Sequence, residues 1–156
     1  MLDSPKLKVL FLCTGNSCRS QMAEGWVRQL RGDIIEGHSA GVVAHGLNER
    51  AVRVMAEAGV DISEHRSQTV EDMLDVPFDY VVTVCDHAAQ SCPVFPTGAT
   101  VVHAGFDDPP SLTMNIEDEQ AALDVYRRVR DEIRDFVTTL PASLMAVDRP
   151  PETRVV

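Results

Sequence analysis

The first apolar run is short and unbroken: Val9-Leu10-Phe11-Leu12 leads into Cys13 without the alternation of a half-exposed strand. A run of that kind predicts a strand over residues 8–13 that is buried on both faces. The pattern then becomes helical, with Met22, Ala23, Trp26, Val27 and Leu30 on one face of a helix over 20–31 that ends near Gly32. Ile34-Ile35 through Ala40-Gly41 predicts another strand. Asn48 is placed to cap a second helix, with Ala51, Val52, Met55 and Ala58 on its inner face and Gly59 as its stop. Thr69–Leu74 predicts a short helix closed before Pro77. Asp79–Cys85 is the second clearly buried strand, and Thr100–His103 is a shorter one. A last helix over about residues 116–140 carries Ala122, Val125, Tyr126, Val129, Ile133, Phe136 and Val137 on one stripe. Arg127, Arg128, Arg130, Asp131, Glu132 and Arg134 are expected to face outward.

Strands alternating with helices predict an α/β domain with a parallel sheet, which binds ligands at the carboxyl ends of its strands. Residues 1–140 are expected to form this one catalytic domain. The stretch 141–156, rich in Pro, charge and small residues, is expected to be a loosely ordered tail without chemistry.

Charge narrows the partners. A net charge of −10 argues against nucleic acid and anionic membranes, and against long-range steering of an anionic substrate. An oxyanion would have to be captured by local donors. No apolar run approaches the roughly 18 residues of a membrane span, and Met1–Lys8 lacks a signal-peptide layout. A cytoplasmic, monomeric protein is expected.

Those local donors are present. Between the first strand and the first helix lies Cys13-Thr14-Gly15-Asn16-Ser17-Cys18-Arg19-Ser20. A loop of this composition ahead of a helix turns backbone N–H groups towards an anion. Arg19 can close the ring with a forked contact, and Asn16 beside Gly15 suits a left-handed position. Cys13 at the base of such a ring is a nucleophile facing a bound oxyanion. Cys18, inside the loop, is expected to pack.

Cys85 and Cys92 flank Asp86-His87-Ala88-Ala89-Gln90-Ser91, which can make one or two helical turns. Seven residues of helix span about 10 Å, whereas bridged cysteines have Cα atoms roughly 4.4–6.8 Å apart. A bond between this pair would require the segment to unwind or loop out, which Pro93 makes easier. The Cys-x6-Cys spacing fits zinc poorly. Asp107 and Asp108 before Pro109 offer either an acid on a loop or plain turn chemistry. His38, His45, His65, His87 and His103 form no pattern and are expected to be structural.

Residues 13–25, together with His38-Ser39-Ala40-Gly41, Val82-Thr83-Val84-Cys85-Asp86, Cys92-Pro93 and Gly105-Phe106-Asp107-Asp108-Pro109, resemble the thioredoxin-coupled arsenate reductases. The resemblance spans residues 8 to about 139. It implies the low-molecular-weight tyrosine phosphatase fold, a three-layer α/β/α arrangement on a central four-stranded parallel sheet. It further implies that Cys13 attacks arsenate held by Arg19 and the amides of Thr14, Gly15, Asn16, Ser17, Cys18, Arg19 and Ser20, with Asp108 assisting loss of water. Cys85 would attack Cys13 as arsenite leaves, and Cys92 would then form a Cys85–Cys92 disulfide for thioredoxin to reduce. No bound cofactor is implied, since the thiols supply both electrons. The chain departs from the family pattern at Ala104, where many members carry tryptophan, and at Pro110, where they carry alanine. Asn16, Glu24 and Ser39 match the potassium site of some members, but Gln68 replaces an expected aspartate, so no metal is assigned.

Two other functions compete. A phosphomonoester phosphatase needs the Cys-x5-Arg loop and the Asp-Pro acid but not Cys85 or Cys92, and arsenate and phosphate are nearly isosteric. A non-catalytic redox sensor would use the disulfide to signal to a partner.

Overall fold

The computed structural model describes residues 5–96 and 98–145. The first apolar run becomes β1 (Leu7–Cys13), with β2 (Ile35–Gly41) on one side and β3 (Tyr80–Thr83) on the other; β4 (Thr100–His103) lies outside β3. All neighbours are parallel. Val9 through Leu12 are completely buried, as a central strand covered by helices requires. Flanking helices complete the α/β/α layers expected from the sequence: α1 (Arg19–Arg31) packs against β1, β2 and α5 (Glu119–Val137), and α2 (Glu49–Glu57) packs against α5.

The order β2-β1-β3-β4 has a functional consequence. The chain leaves β1 for β2 on one side and later returns to place β3 on the other, so the sheet reverses direction between β1 and β3. Crevices at such switch points, outside the strand carboxyl ends, are where open α/β sheets bind ligands. Leu12 is in register with Thr83 and Cys13 with Gly41. The residues that follow β1 and β3 therefore emerge on one rim.

Boundaries follow local chemistry. The Asn48 side chain accepts from the Ala51 N–H at 3.0 Å and caps α2, while Gly59 takes the positive φ of 84° that stops it. Val70–Met73 is a 3-10 turn rather than an α-helix. The predicted strand 79–85 is paired only over Tyr80–Thr83. Val84 donates to Leu12, and Cys85 turns away to cap α3 (Asp86–Ser91).

On α5, Leu123 is buried, which the stripe drawn from the sequence omitted, while Val125 and Phe136 are only half-buried. Phe136 packs edge-on against Phe106, with ring centres 5.9 Å apart. Arg130 does not face outward as expected. Its guanidinium reaches the Val54 carbonyl at 2.8 Å and lies in the α2–α5 seam.

The tail also differs from expectation at its start. Ala142–Met145 form the short helix α6 (after α4, Pro109–Leu112, and α5), and Leu144 is fully buried in the core. An apolar side chain spaced to meet the core outweighs the breaker Pro141 before it. Residues 146–156 of the expected tail lie outside the described residues. Among the described residues, no helix is long and apolar enough to cross a membrane.

Candidate active site

The loop between β1 and α1 is held from outside through its carbonyls. Cys13, Thr14, Gly15 and Ser17 accept backbone N–H bonds from Val42, Val43, His45 and Asn48 at 2.9–3.1 Å. The Asn16 carbonyl accepts from Gln21 Nε2 at 3.0 Å. Planar peptides with outward carbonyls direct their N–H groups into the ring. Asn16 makes the turn at a φ of 49°, a left-handed conformation that asparagine tolerates better than most residues. No side chain caps α1, so its first N–H groups remain for an anion.

The asparagine also orients the partner of Cys13. Asn16 Nδ2 donates to Ser20 Oγ at 2.8 Å, which leaves the Ser20 hydroxyl proton for Cys13 Sγ, 2.9 Å away. The ring opens into a cavity of about 250 Å³ lined by Cys13, Thr14, Gly15, Ser17, Cys18, Arg19, His45, Asp108 and Pro110. A wider surface cavity of about 480 Å³ between α2 and α5 contains the Arg50–Glu119 ion pair and no nucleophile.

Arg19 is positioned by the acidic loop. One guanidinium nitrogen donates to the Phe106 carbonyl at 3.0 Å, and another lies 3.4 Å from Asp108 Oδ1. The geometry separates the two aspartates, which the sequence left even. Asp108 lines the cavity, whereas Asp107 turns away to Arg128 at 3.0 Å. Ser111 donates to the other Asp108 oxygen at 2.5 Å. Pro110 also lines the cavity, so this departure from the family pattern sits at the site itself.

The cysteines divide by environment. Cys18 is buried, and burial first, then Cys13 and Asp108, push its thiol far above the ordinary value. It stays a protonated packing group, as expected. Cys85 Sγ lies 3.3 Å from Thr14 Oγ1, the ring residue that follows Cys13, and accepts the Ala88 N–H at 3.3 Å. Cys92 follows the far end of α3, half-buried, and burial raises its thiol too. All four cysteines are free thiols.

The residues that match a potassium site, Asn16, Glu24 and Ser39, fall together and are tied to one another through protein hydrogen bonds. Ser39 Oγ donates to one Glu24 oxygen at 2.5 Å, and Arg28 takes the other at 2.6 Å. Gln68 donates from its side chain to the Ser39 carbonyl at 2.9 Å and from its backbone to Asn16 Oδ1 at 2.8 Å. Each of these acceptor oxygens already takes one protein donor, and Gln68 brings no carboxylate to offset a cation's charge.

Two histidines that the sequence gave no reason to select belong to this region. His45 lines the cavity, and a Cβ on Gly15 would come within 2.5 Å of its Nδ1. His87 Nδ1 lies 3.2 Å from Thr14 Oγ1. Neither proximity follows a local sequence signal. The nearest hint for His87 is its place two residues after Cys85 on a short helix.

Residues 8–149 match the family described as low molecular weight phosphotyrosine protein phosphatase. The chain is 50% identical over 134 residues to an arsenate reductase of Halalkalibacterium halodurans, covering 86% of this chain and 94% of the relative. It is 49% identical over 125 residues to an arsenate reductase of Bacillus subtilis, covering 80% and 88%. A solved arsenate reductase in its phosphate-binding state superposes with a TM-score of 0.72 at 30% identity, covering 88% of this chain and 98% of that one. The chain thus belongs to the low molecular weight phosphotyrosine protein phosphatase family, in the group formed by its arsenate reductase relatives.

Proposed function

We propose that the protein reduces arsenate to arsenite by a relay of Cys13, Cys85 and Cys92, and that thioredoxin restores the thiols. The observation that carries the reading is the approach of Cys85 to Thr14, which brings a second sulfur to the edge of the oxyanion ring. A hydrolytic site has no use for it. Cys13 attacks the arsenic of the bound oxyanion. Asp108, beside Arg19 on the cavity wall, gives a proton to the departing oxygen, which leaves as water. Cys85 then attacks Cys13 sulfur. The Cys13–arsenic bond breaks, and its electron pair stays on arsenic, now arsenite. A Cys13–Cys85 disulfide remains. Cys92 attacks Cys85, Cys13 leaves as thiolate, and the Cys85–Cys92 disulfide passes to thioredoxin by thiol exchange. The thiols supply both electrons, so the chemistry requires no bound cofactor. Val94, 91% exposed two residues beyond Cys92, offers an apolar contact beside that disulfide.

The test is arsenate-dependent oxidation of thioredoxin by the wild type and Cys92→Ser. Wild type should turn over repeatedly and the variant at most once. Absence of arsenite with either protein would overturn the reading.

Phosphomonoester hydrolysis is a second activity favoured by one observation: the ring, Arg19 and Asp108 form a complete hydrolytic set in one cavity. Among the described residues no Phe, Tyr or Trp lines that cavity to hold a phosphotyrosine ring, so the activity should be weak. It should survive loss of Cys85 and Cys92 and disappear in Cys13→Ser.

A further inference from the structure

We infer that His87 is a positioning residue for the second nucleophile, drawing the Cys85 proton away through the Thr14 hydroxyl. This rests on the relay proposed above. Three side chains from different parts of the chain form a line: Cys85 Sγ, Thr14 Oγ1 at 3.3 Å, and His87 Nδ1 a further 3.2 Å from that oxygen. A threonine hydroxyl carries one proton and two lone pairs, so it can accept from one neighbour while donating to the other. The Ala88 N–H already occupies a lone pair of the Cys85 sulfur, leaving the S–H bond free to turn towards Thr14.

In the resting arrangement, Cys85 S–H donates to Thr14 and Thr14 O–H donates to a neutral His87. Transfer moves the thiol proton to the Thr14 oxygen as the Thr14 proton moves to His87 Nδ1. The products are a Cys85 thiolate, an intact Thr14 hydroxyl that now donates to it, and an imidazolium. No net charge is created. His87 is exposed, so its proton can then pass to solvent.

The local charges leave this line to His87. Asp86, its chain neighbour, pairs with His103 of β4 at 3.2 Å. On the acidic loop, Asp108 lies 3.4 Å from Arg19 and Asp107 lies 3.0 Å from Arg128. The other titratable groups at the ring are Cys13, which contacts Ser20, Cys18, which is held protonated by its burial, and His45, which lies against Gly15 rather than Thr14. Imidazole is the side chain that changes charge in the neutral range, where the enzyme needs a thiolate.

The experiment follows alkylation of the full-length reduced protein by iodoacetamide from pH 5 to 10 without arsenate, with each cysteine resolved by peptide mass spectrometry. In the wild type, Cys85 reactivity should already rise across the neutral range, where an imidazole can take up a proton. His87→Gln can hydrogen-bond to Thr14 but cannot take up a proton, and His87→Ala can do neither. Both should lose the neutral limb, with Cys85 reacting roughly tenfold more slowly at pH 7, because less of the reactive thiolate forms. Protection of Cys13 by inorganic phosphate reports in each sample that the ring is folded. A His87→Gln profile superimposed on the wild type overturns the inference. A uniform loss at every pH also overturns it, because that marks a packing contact. Failure to form arsenite would remove the reductase reading but leave this profile unchanged.

Discussion

Gly41→Ala should damage the oxyanion ring more than the fold. Gly41 ends β2 opposite Cys13, and a Cβ there would lie 2.6 Å from the Asn16 nitrogen and 2.8 Å from the Thr14 carbonyl oxygen. The Val43 carbonyl oxygen is closer still. All three are backbone atoms, so no side chain can swing aside. An ordinary contact begins at 3.4 Å, so the Asn16 amide must retreat by about 0.8 Å. Overpacking of this kind costs about 1–3 kcal/mol. At about 2 kcal/mol, the melting temperature of a chain this size falls by roughly 4–8 °C. The ring loses more, because a misplacement of about 1 Å among groups that hold a reacting oxyanion can cost on the order of 100-fold in rate. Phosphate affinity by calorimetry, the Cys13-dependent hydrolysis of an aryl phosphate, and thermal unfolding should be measured on one preparation. The expected result is a modest drop in melting temperature with a loss of ten- to a hundredfold in phosphate affinity and hydrolysis, by the same misplacement argument. Wild-type affinity in the variant would refute the claim that the bare backbone of Gly41 sets the ring's dimensions.

Leu144→Ala should lower unfolding free energy by about 2–4 kcal/mol in a urea titration, since it empties a fully buried site; a loss below about 0.5 kcal/mol would place residue 144 outside the core. Burial raises the Cys18 thiol, so the unfolded chain releases this proton above the ordinary value of 9.0 while the folded chain keeps it. The folded state then binds more protons, and stability falls as pH rises through that region. Cys18→Ala should flatten this alkaline limb in urea midpoints taken from pH 8 to 10. Replacing sodium by potassium at constant ionic strength should change neither phosphate affinity nor melting temperature, because Gln68 supplies no carboxylate and Arg28 already balances the Glu24 charge.

Much of this architecture is legible in the chain because its determinants are local. The β1 run, the Asn48 cap and the α1 stripe each depend on residues within a few positions of one another, and each forms where expected. The ring was legible for the same reason: Cys13, left-handed Asn16 and Arg19 all lie within seven consecutive residues. Choices that depend on distant partners were not legible. Asp107 and Asp108 are equivalent by composition, and only the positions of Arg128 and Arg19 separate them. Arg130 looked like one more surface charge, yet the Val54 carbonyl draws it into a helix seam. Leu144 stood among tail-like residues, and its burial depends on where α5 delivers the chain. His87 became notable only once β1 and β3 were adjacent and Thr14 stood beside it.

Helix α3 is only six residues long and is capped at its start by the Cys85 sulfur, which accepts the Ala88 N–H. Isolated helices shorter than about 12–15 residues are marginal in water, and an N-terminal cap is worth about 0.5–2 kcal/mol. The capping atom is also the atom that the proposed relay oxidises. A thiolate is a strong acceptor, whereas a disulfide sulfur is a poor one, so oxidation weakens the bond that closes the helix start. The reaction would thus melt its own spacer, and redox state would be written as helix content over residues 86–91. Amide exchange at Ala88 and Ala89 would read that state without following the chemistry.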